Sequence, residues 1–484
     1  MTETFSADPN PARPLAGDRA VVFGQTSERA SVRERASWAL YDFANTIFSM
    51  NVATLYFSVW LIADLHASNT VYAVGNGISS ILVVLSVPVL GAVSDARRRR
   101  KPWVVGFTIV SCLACAAIGL LGQLTLPISG AETIGGTALP AGWHPTIATF
   151  GWVLVAFVIA NYAYQAAQPF YNAMLPDLVP PEERGRLSGI GTAVGYMGTI
   201  VGLLMVAPFF SGKLPLLGAL PAASVSLLHA VVPFSSHAGR VSTFVPTAML
   251  FLLFSLPLFF FCRDHHPRPE HVPIAWRAAF ADVGHTLRDA KRHPGVLAFI
   301  IASFLYQDAI GTIVSFMAIY AVKAMGFQRG SEVTLFLVLT IPAIFGSYIV
   351  GRLVDRFGAR HTLVAIIAAW IGLLVAMVLV PTQGAFWVVG LGIGLIFGGV
   401  PTAERPLLLS LVPSEEAGRY FSLMLLSARA AAVAGPLVWG LTVDGLEPGY
   451  GTGLAYRAAV ISVAVMFAVS LVFLRSVPHR PQVG

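Results

Sequence analysis

The chain has 484 residues, of which 56% are hydrophobic and only 11% are charged. Soluble globular proteins carry about 25% charged residues, so this composition excludes an ordinary soluble domain. The net charge of +7 would also suit a protein that binds nucleic acid. The placement of the basic residues, described below, instead favours loops on one side of a membrane.

Twelve apolar runs are each long enough to cross a bilayer as a helix. A spanning helix needs about 20 mostly apolar residues, and these runs are too long and too uniformly apolar for the strands of a membrane barrel. The sequence therefore predicts an all-α integral membrane protein with twelve transmembrane helices. The predicted spans are 38–62, 71–93, 102–123, 147–170, 187–210, 241–262, 295–321, 333–354, 362–380, 385–410, 420–442 and 456–475.

The lysines and arginines lie mostly on one side of these spans. On the side of the N-terminus there are 25 of them, on the opposite side there are five, and Arg429 lies inside a span. The positive-inside rule then predicts that both termini are cytoplasmic. The chain has four lysines against 27 arginines, which favours a GC-rich bacterial genome and hence a bacterial inner membrane.

Two segments occur in both halves of the chain at matching positions. Gly91-Ala-Val-Ser-Asp95 ends the second span and Gly351-Arg-Leu-Val-Asp355 ends the eighth, and Leu-Val-Pro-x-Glu-Glu-x-Gly-Arg occurs at 178–186 and 411–419. This repeat predicts two pseudo-symmetric six-helix bundles, a plan used by secondary transporters. The expected organisation is a disordered cytoplasmic tail at 1–36, bundles at 37–262 and 295–475, a cytoplasmic linker at 263–294 and a cytoplasmic tail at 476–484.

The loop after the eighth span, Gly351-Arg-Leu-Val-Asp355-Arg356-Phe-Gly-Ala-Arg360, resembles the signature loop of the major facilitator superfamily. The first copy keeps its acid and its basic cluster but has Arg98 where the family usually has glycine. The resemblance implies the major facilitator fold and gating contacts of each acid with the start of span eleven or five, where a helix dipole favours an anion. The gating residues that it implies are Gly91, Asp95, Arg99, Arg100, Gly351, Asp355, Arg356 and Arg360.

A narrower resemblance rests on four segments: Trp38-Ala-Leu-Tyr41-Asp42-Phe-Ala-Asn45, Gly195-Tyr196-Met-Gly198, Phe304-Leu-Tyr306-Gln307-Asp308 and Gly398-Gly399-Val400. They are similar to the vacuole-effluxer-like branch, whose yeast members are linked to amino-acid export from the vacuole. The resemblance implies export of a small polar solute such as an amino acid. The tenth span departs from the branch, because Pro401 and Glu404-Arg405-Pro406 stand where more neutral residues are expected.

Asp308 and Arg429 are ionisable residues that the spans place near the middle of the membrane. Placing an ionisable side chain inside the membrane costs a few kcal/mol or more, so each such residue is expected to have a structural or functional role. One interpretation is a transport site, in which Asp308, with its neighbours Tyr306 and Gln307, takes up a proton and Arg429 holds a carboxylate. The alternative is a fixed structural ion pair between spans seven and eleven.

Asp42 is a further candidate, flanked by Tyr41 and Asn45. It lies only seven residues after Arg35, near the predicted cytoplasmic end of span one. It is therefore either a gate or coupling residue, or a solvated acid stabilised by the start of its helix.

Span four carries a polar face, formed by Asn161, Tyr164, Gln165 and Gln168 at helical spacing. In the superfamily that the chain resembles, spans one, four, seven and ten line the central cavity, which favours cavity lining for these residues. The alternative is hydrogen bonding between helices, worth about 1 kcal/mol for each bond.

The sequence contains no phosphate-binding loop of the Walker type, no metal-spaced set of histidines or cysteines, and no catalytic triad. We therefore expect neither a cofactor nor enzyme activity. The favoured function is a monomeric exporter of a small solute by alternating access, with protons as the candidate coupling ion and the bilayer as its surroundings. A lipid or lysolipid flippase and a transporter-like sensor are the alternatives.

Overall fold

The computed structural model describes residues 30–61, 69–125, 132–134, 137–139, 147–214, 218–232, 235, 239–264, 295–327, 332–431 and 434–478. Most of the predicted N-terminal tail, the linker from residue 265 to 294 and the C-terminal tail from residue 479 lie outside these ranges.

Helices occur at all twelve predicted spans, and we number them by span. Within the described residues, eight segments are long and apolar enough to cross a membrane by length and composition alone. The helices are α1 (Val32–Phe48), which continues as a π-helix (Ser49–Tyr56) and a short α-helical turn (Phe57–Val59), α2 (Asn69–Arg97), α3 (Lys101–Thr125), α4 (Ile147–Ala173), α5 (Arg184–Ser211), α6 (Phe244–Phe261), α7 (Val296–Met325), α8 (Glu332–Phe357), α9 (Ala359–Leu379), α10a (Gln383–Phe397), α10b (Gly399–Leu411), α11a (Ala417–Ala431), α11b (Ala434–Tyr450) and α12 (Thr452–Arg475).

Short elements connect these helices. Each of two antiparallel ribbons has two strands, and the remaining elements are single helical turns or short helices. The strands are β1 (Glu132–Ile134) with β2 (Thr137–Leu139), and β3 (Lys213–Leu214) with β4 (Gly218–Ala219). The short helices are Leu175–Leu178 and Ala222–Val231, and the 3-10 turns are Pro181–Glu183, Arg240–Thr243 and Ser414–Glu416.

The first helix begins earlier than the apolar run that predicted it. The Ser31 hydroxyl accepts a hydrogen bond from the Glu34 backbone N–H at 3.2 Å, and the Glu34 carboxylate accepts one from the Ser31 N–H at 2.8 Å. This capping box satisfies backbone groups that would otherwise have no partner in the first turn. The helix α1 begins at Val32 and not at residue 38. Hydropathy does not detect this first turn because its residues are polar.

Span ten is broken in the middle, between α10a and α10b. Gly398 stands at the break, and a Cβ there would lie 2.7 Å from Cε2 of Tyr196 and would collide with the Ser347 hydroxyl. Pro401 falls in the first turn of α10b, where the missing N–H has no helical partner to lose. Helices interrupted at membrane depth are a feature of binding sites in secondary transporters.

The two halves of the chain meet along two helix pairs that the sequence repeat relates. α2 packs against α11a, and α8 packs against α5. A Cβ at Gly91 would lie 2.9 Å from the Gly418 carbonyl oxygen, and one at Gly351 would lie 2.8 Å from the Gly185 carbonyl oxygen. Glycine at these positions allows the helix backbones of the two halves to approach closely.

Candidate functional site

A cavity of ≈ 320 Å³ lies between the two halves. We call the face of the protein that carries the loop Arg97–Lys101 the basic side, and the cavity lies in the opposite half of the membrane. Its walls come from α1 with its π-helix and from α5, α7, α8, α9 and α10a. Most of the lining is apolar, with several hydroxyl groups. The lining includes Met50, Met317, Trp370, Met377, Phe386 and Phe397, and the polar residues Thr46, Ser49, Thr54, Thr199 and Tyr196.

A buried ion pair joins the halves just beyond the inner end of this cavity. Arg405 of α10b donates to Asp42 of α1 from Nη1 to Oδ2 at 3.0 Å and from Nη2 to Oδ1 at 3.4 Å. The two side chains are only 11% and 6% exposed. Thr46, about one turn after Asp42, lines the cavity, and Tyr196 lines it while interacting electrostatically with both members of the pair.

An aromatic platform supports the arginine. The Arg405 guanidinium carbon lies 5.7 Å from the ring centres of both Trp38 and Tyr171, within the range of cation–π attraction. The two rings are stacked at 4.6 Å. Each also hydrogen-bonds the backbone of the other: the Trp38 indole N–H donates to the Tyr171 carbonyl, and the Tyr171 hydroxyl donates to the Trp38 carbonyl, both at 3.1 Å. The first half of the chain therefore presents a preformed surface to Arg405.

Glu404, the residue before Arg405, faces its own half of the chain. The Ser303 hydroxyl lies 3.2 Å from Oε1 of Glu404, and the Gln307 side-chain amide donates to Oε2 at 2.8 Å. Tyr306, also on α7, is fully buried and interacts with this carboxyl. Two adjacent residues of α10b thus connect to opposite halves of the molecule.

Sequence reasoning missed Glu404 and Arg405 as site residues. It treats them as departures of the tenth span from a family pattern, and Arg405 is one of the 25 basic residues counted on the side of the N-terminus. The structure places both inside α10b and buries them. The criterion that selected Asp308 and Arg429 could also have found them: an ionisable side chain inside a predicted span is costly and is therefore a candidate site residue.

Asp42 is not a solvated helix-end acid, because its side chain is buried and paired with Arg405. It and Asp308 both lie about three helical turns from the starts of their helices. The neighbouring Tyr41 hydroxyl lies 2.7 Å from the Thr108 hydroxyl of α3, inside the first bundle. Asn45 is buried, and its Oδ1 has no hydrogen-bond partner among the described residues.

Asp308 lies against the start of α11b. Its Oδ2 accepts a hydrogen bond from the Gly435 backbone N–H at 2.7 Å, where the helix dipole favours a negative charge. Its other oxygen is buried without a partner in the described part of the chain. Arg429 belongs to α11a, but its side chain lies outside what the structure describes. The pairing of Asp308 with Arg429 therefore stays a prediction.

The polar face of α4 does not contribute to this cavity. The Asn161 amide donates to the Asn76 side chain at 3.0 Å and to the Ser79 hydroxyl at 2.8 Å, both on α2, and this matches the interhelical alternative. Tyr164 stacks on Phe48 at 5.0 Å. The remaining two residues of the face, Gln165 and Gln168, are likewise absent from the lining of the described cavity.

Related contacts close the basic side in both halves. Asp95, at the end of α2, accepts hydrogen bonds from the backbone N–H groups of Gly418 at 3.1 Å and Arg419 at 2.7 Å. Asp355, at the end of α8, accepts one from the N–H of Arg186 at 2.9 Å. Gly418-Arg419 and Gly185-Arg186 are equivalent in the repeat, so each acid meets the start of a helix in the other half.

The basic residues of the two loop copies differ in what they bind. Arg100 is buried, pairs with Asp177 at 2.9 Å and also donates to the Ser414 carbonyl of the other half. Its equivalent, Arg360, donates to the carbonyls of Leu474 at 3.2 Å and Arg475 at 3.0 Å, within its own half. Of the other predicted gating residues, Arg99 and Arg356 are exposed, and Arg356 lies over the Phe357 ring.

The turn that follows each acid explains why the family usually has glycine at Arg98. Arg98 has a φ of +48°, and Gly358, at the equivalent position of the second copy, has a φ of +84°. Positive φ is free of strain for glycine but costs other residues roughly 1–2 kcal/mol. The backbone thus takes a positive φ at this position in both halves, and the first copy does so with a strained arginine.

Comparisons with known proteins agree with this geometry. A family model described as Major Facilitator Superfamily matches residues 42–436 and 333–484. The uncharacterized MFS-type transporter YxiO of Bacillus subtilis is 23% identical over 460 residues, 93% of this chain and 95% of the relative. Autophagy-related protein 22 of Eremothecium gossypii is 23% identical over 466 residues, 86% of each chain. The E. coli transporter FucP in its outward conformation superposes with a TM-score of 0.66 and 14% identity, over 92% of this chain and 97% of that one.

Proposed function

Because this chain belongs to the major facilitator superfamily, we propose that it is a secondary active transporter that works by alternating access. One observation carries the proposal: the two halves are joined at the basic side, and a cavity separates them on the other side. Alternating access needs such a state, together with one in which the basic-side contacts break. Rocking of two rigid bundles about a central site interconverts the two states.

The basic side is the cytoplasmic side in this proposal. Its support is the 25 to five distribution of lysines and arginines. Both termini are then cytoplasmic, the membrane is a bacterial inner membrane, and the described arrangement is the outward-facing state. The transporter acts as a monomer, and its solute leaves the cell.

The solute is a small molecule with both an amino group and a carboxylate, such as an amino acid. The Asp42–Arg405 pair lies beside the cavity, and separating the pair without replacement would leave two buried charges alone. A zwitterion can give each partner a new counter-ion, whereas an uncharged solute cannot. Protons are the proposed coupling ion.

A second function is favoured by the lining of the cavity. Seven of the 19 residues that line it are methionine or aromatic, and such side chains suit an apolar chain better than a small polar solute. A lipid or lysolipid flippase, with a headgroup at the ion pair and an acyl chain along this wall, is therefore the alternative.

The test is reconstitution of the purified chain in liposomes, with labelled amino acids, dipeptides and sugars offered with and without a proton gradient. We expect gradient-dependent flux of a carboxylate-bearing solute, lost in Asp308→Asn, Arg429→Ala and Arg405→Gln. Glu447→Gln is the matched control, because this carboxylate bonds Thr452 at the far end of α11b.

The outcomes separate the two functions. Solute flux that survives Arg405→Gln would place the binding site away from the ion pair. Movement of labelled lysolipid between leaflets, with no solute flux, would replace the exporter by the flippase. If the wild-type chain moved neither solute nor lysolipid, that result would contradict the proposal that the chain is a transporter.

A further inference from the structure

We infer that Glu404 is the proton-binding residue of this transporter, and that its proton decides whether Arg405 stays paired with Asp42 across the two halves. The inference rests on the proposed function and names the group that couples it to protons. One of the two interpretations of the sequence gives that role to Asp308. The arrangement of carboxyl groups and their partners favours Glu404.

The first step is the difference between Glu404 and three other acids with buried side chains. Asp42 has Arg405, Asp95 has Arg100 at 3.7 Å as well as two backbone N–H groups, and Asp308 has the start of α11b. Glu404 is 2% exposed, and its hydrogen bonds in the described structure come from neutral side chains. A carboxylate inside a membrane protein needs compensation that neutral donors give only in part.

The second step is that both protonation states of Glu404 can be satisfied in place. The Gln307 amide donates to Oε2 in either state. The Ser303 hydroxyl, 3.2 Å from Oε1, can donate to the carboxylate or accept from the protonated acid, because a hydroxyl is both donor and acceptor. The site can therefore bind and release a proton without rebuilding its hydrogen bonds.

The third step is the position of Arg405 between two acids. Asp42 belongs to the first half, and Glu404 precedes Arg405 in α10b and interacts with it electrostatically. With Glu404 protonated, Asp42 is the acid that holds the guanidinium, and the halves stay joined. With Glu404 ionised, a second carboxylate in the same half attracts Arg405, and the bond across the halves weakens.

The other titratable groups near this cluster are phenols. Among the described residues they are Tyr306 on α7, Tyr196 on α5, Tyr171 on α4 and Tyr41 on α1. Phenols stay protonated over the range in which carboxyls titrate. α8 and α9 meet the start of α10b through the apolar side chains of Val350 and Ile366. Among the described groups that interact with Arg405, the carboxyl groups are therefore those of Glu404 and Asp42.

The experiment measures the distance across the basic side as a function of pH, without any solute. Spin labels are placed at Arg97→Cys, at the end of α2, and Glu415→Cys, in the loop before α11a, and the full chain is studied in lipid nanodiscs. The three native cysteines are buried. From about pH 5 to about pH 9, we expect the wild-type background to shift from short to longer distances as Glu404 loses its proton.

Variants assign the shift to a residue. Glu404→Gln mimics the protonated acid and should hold the short distance at every pH, whereas Glu447→Gln, the same change at a distant site, should behave as wild type. Glu404→Asp keeps a carboxyl and should keep the shift with a moved midpoint, which covers the case in which Glu404→Gln does not fold.

Three outcomes would overturn the inference: no pH-dependent shift in the wild-type background, an unchanged midpoint in Glu404→Gln, or a shift that Asp308→Asn abolishes while Glu404→Gln retains it. Flux in liposomes reports on the proposed function separately. A chain that transports solute but shows any of these three outcomes would refute the role of Glu404 alone.

Discussion

The basic-side rim and the centre of the molecule connect the same two halves in different ways. At the rim, Asp95 and Asp355 occupy equivalent positions, and each meets backbone N–H groups at the start of a helix in the other half. At the centre, Arg405 binds Asp42, and the repeat that aligns residues 178–186 with 411–419 places Asn172 opposite Arg405. The ion pair formed by Arg405 therefore has no counterpart at the equivalent position of the repeat.

This difference suggests that the rim and the centre have different roles in transport. Backbone N–H groups at a helix start are available in both copies of a duplicated bundle, so closure of the rim can be shared equally by the two halves. An ion pair between side chains depends on substitutions in one copy, and an asymmetric solute needs an asymmetric site. We expect changes at the centre to affect stability and selectivity, and changes at the rim to shift the balance between states.

The largest expected effect is at the centre. Arg405→Gln leaves Asp42 buried without its cation, which should lower the free energy of unfolding by about 3–5 kcal/mol. The double variant Asp42→Asn/Arg405→Gln should recover a large part of this loss, because no lone charge remains. Thermal unfolding in detergent measures both. Arg352→Gln, an exposed arginine over the Tyr348 ring, is the control and should cost about 1 kcal/mol or less. Additive losses in the double variant would show that the two charges do not depend on each other.

A smaller effect should distinguish the two copies of the rim. Asp95→Asn removes an acceptor for two N–H groups and a counter-charge for Arg100, and we expect it to weaken the closed rim by about 1–3 kcal/mol. Asp355→Asn leaves no comparable buried arginine among the described residues, so it should weaken the rim by about 1 kcal/mol. The spin-label pair at positions 97 and 415 reports the open fraction of each variant. Equal effects of the two variants would mean that the contacts of Arg100 do not strengthen the Asp95 contact at the rim.

The smallest effect concerns the turn after each acid. Gly358→Ala should lower stability by about 1 kcal/mol, because alanine is strained at positive φ. Arg98→Gly should relieve the strain of a positive φ and raise stability by up to about 1 kcal/mol. Loss of the exposed ion pair with Glu415, at 3.3 Å, would reduce this gain. Glu415→Gln measures the loss of that pair by itself. Shifts in melting temperature check the signs, and a destabilising Arg98→Gly with a neutral Glu415→Gln would contradict the strain argument.

Much of the fold could be predicted from the sequence, because the bilayer requires long apolar helices and because the chain contains its own repeat. The twelve spans and the two signature loops were identified in this way. The polar start of α1 and the break at Gly398 were less visible, since a capping box and a close helix contact leave little trace in hydropathy.

The sequence by itself therefore determined which segments are helices and which of them are related. Only the tertiary structure decided which polar residues meet. Asp42 and Arg405 are 363 residues apart in sequence, and the polar face of α4 turned out to hold Asn161 against α2 rather than to line the cavity. The physical reason is that apolar composition places a helix in the membrane without fixing its rotation, and the packing of small residues between helices sets the direction in which each side chain points.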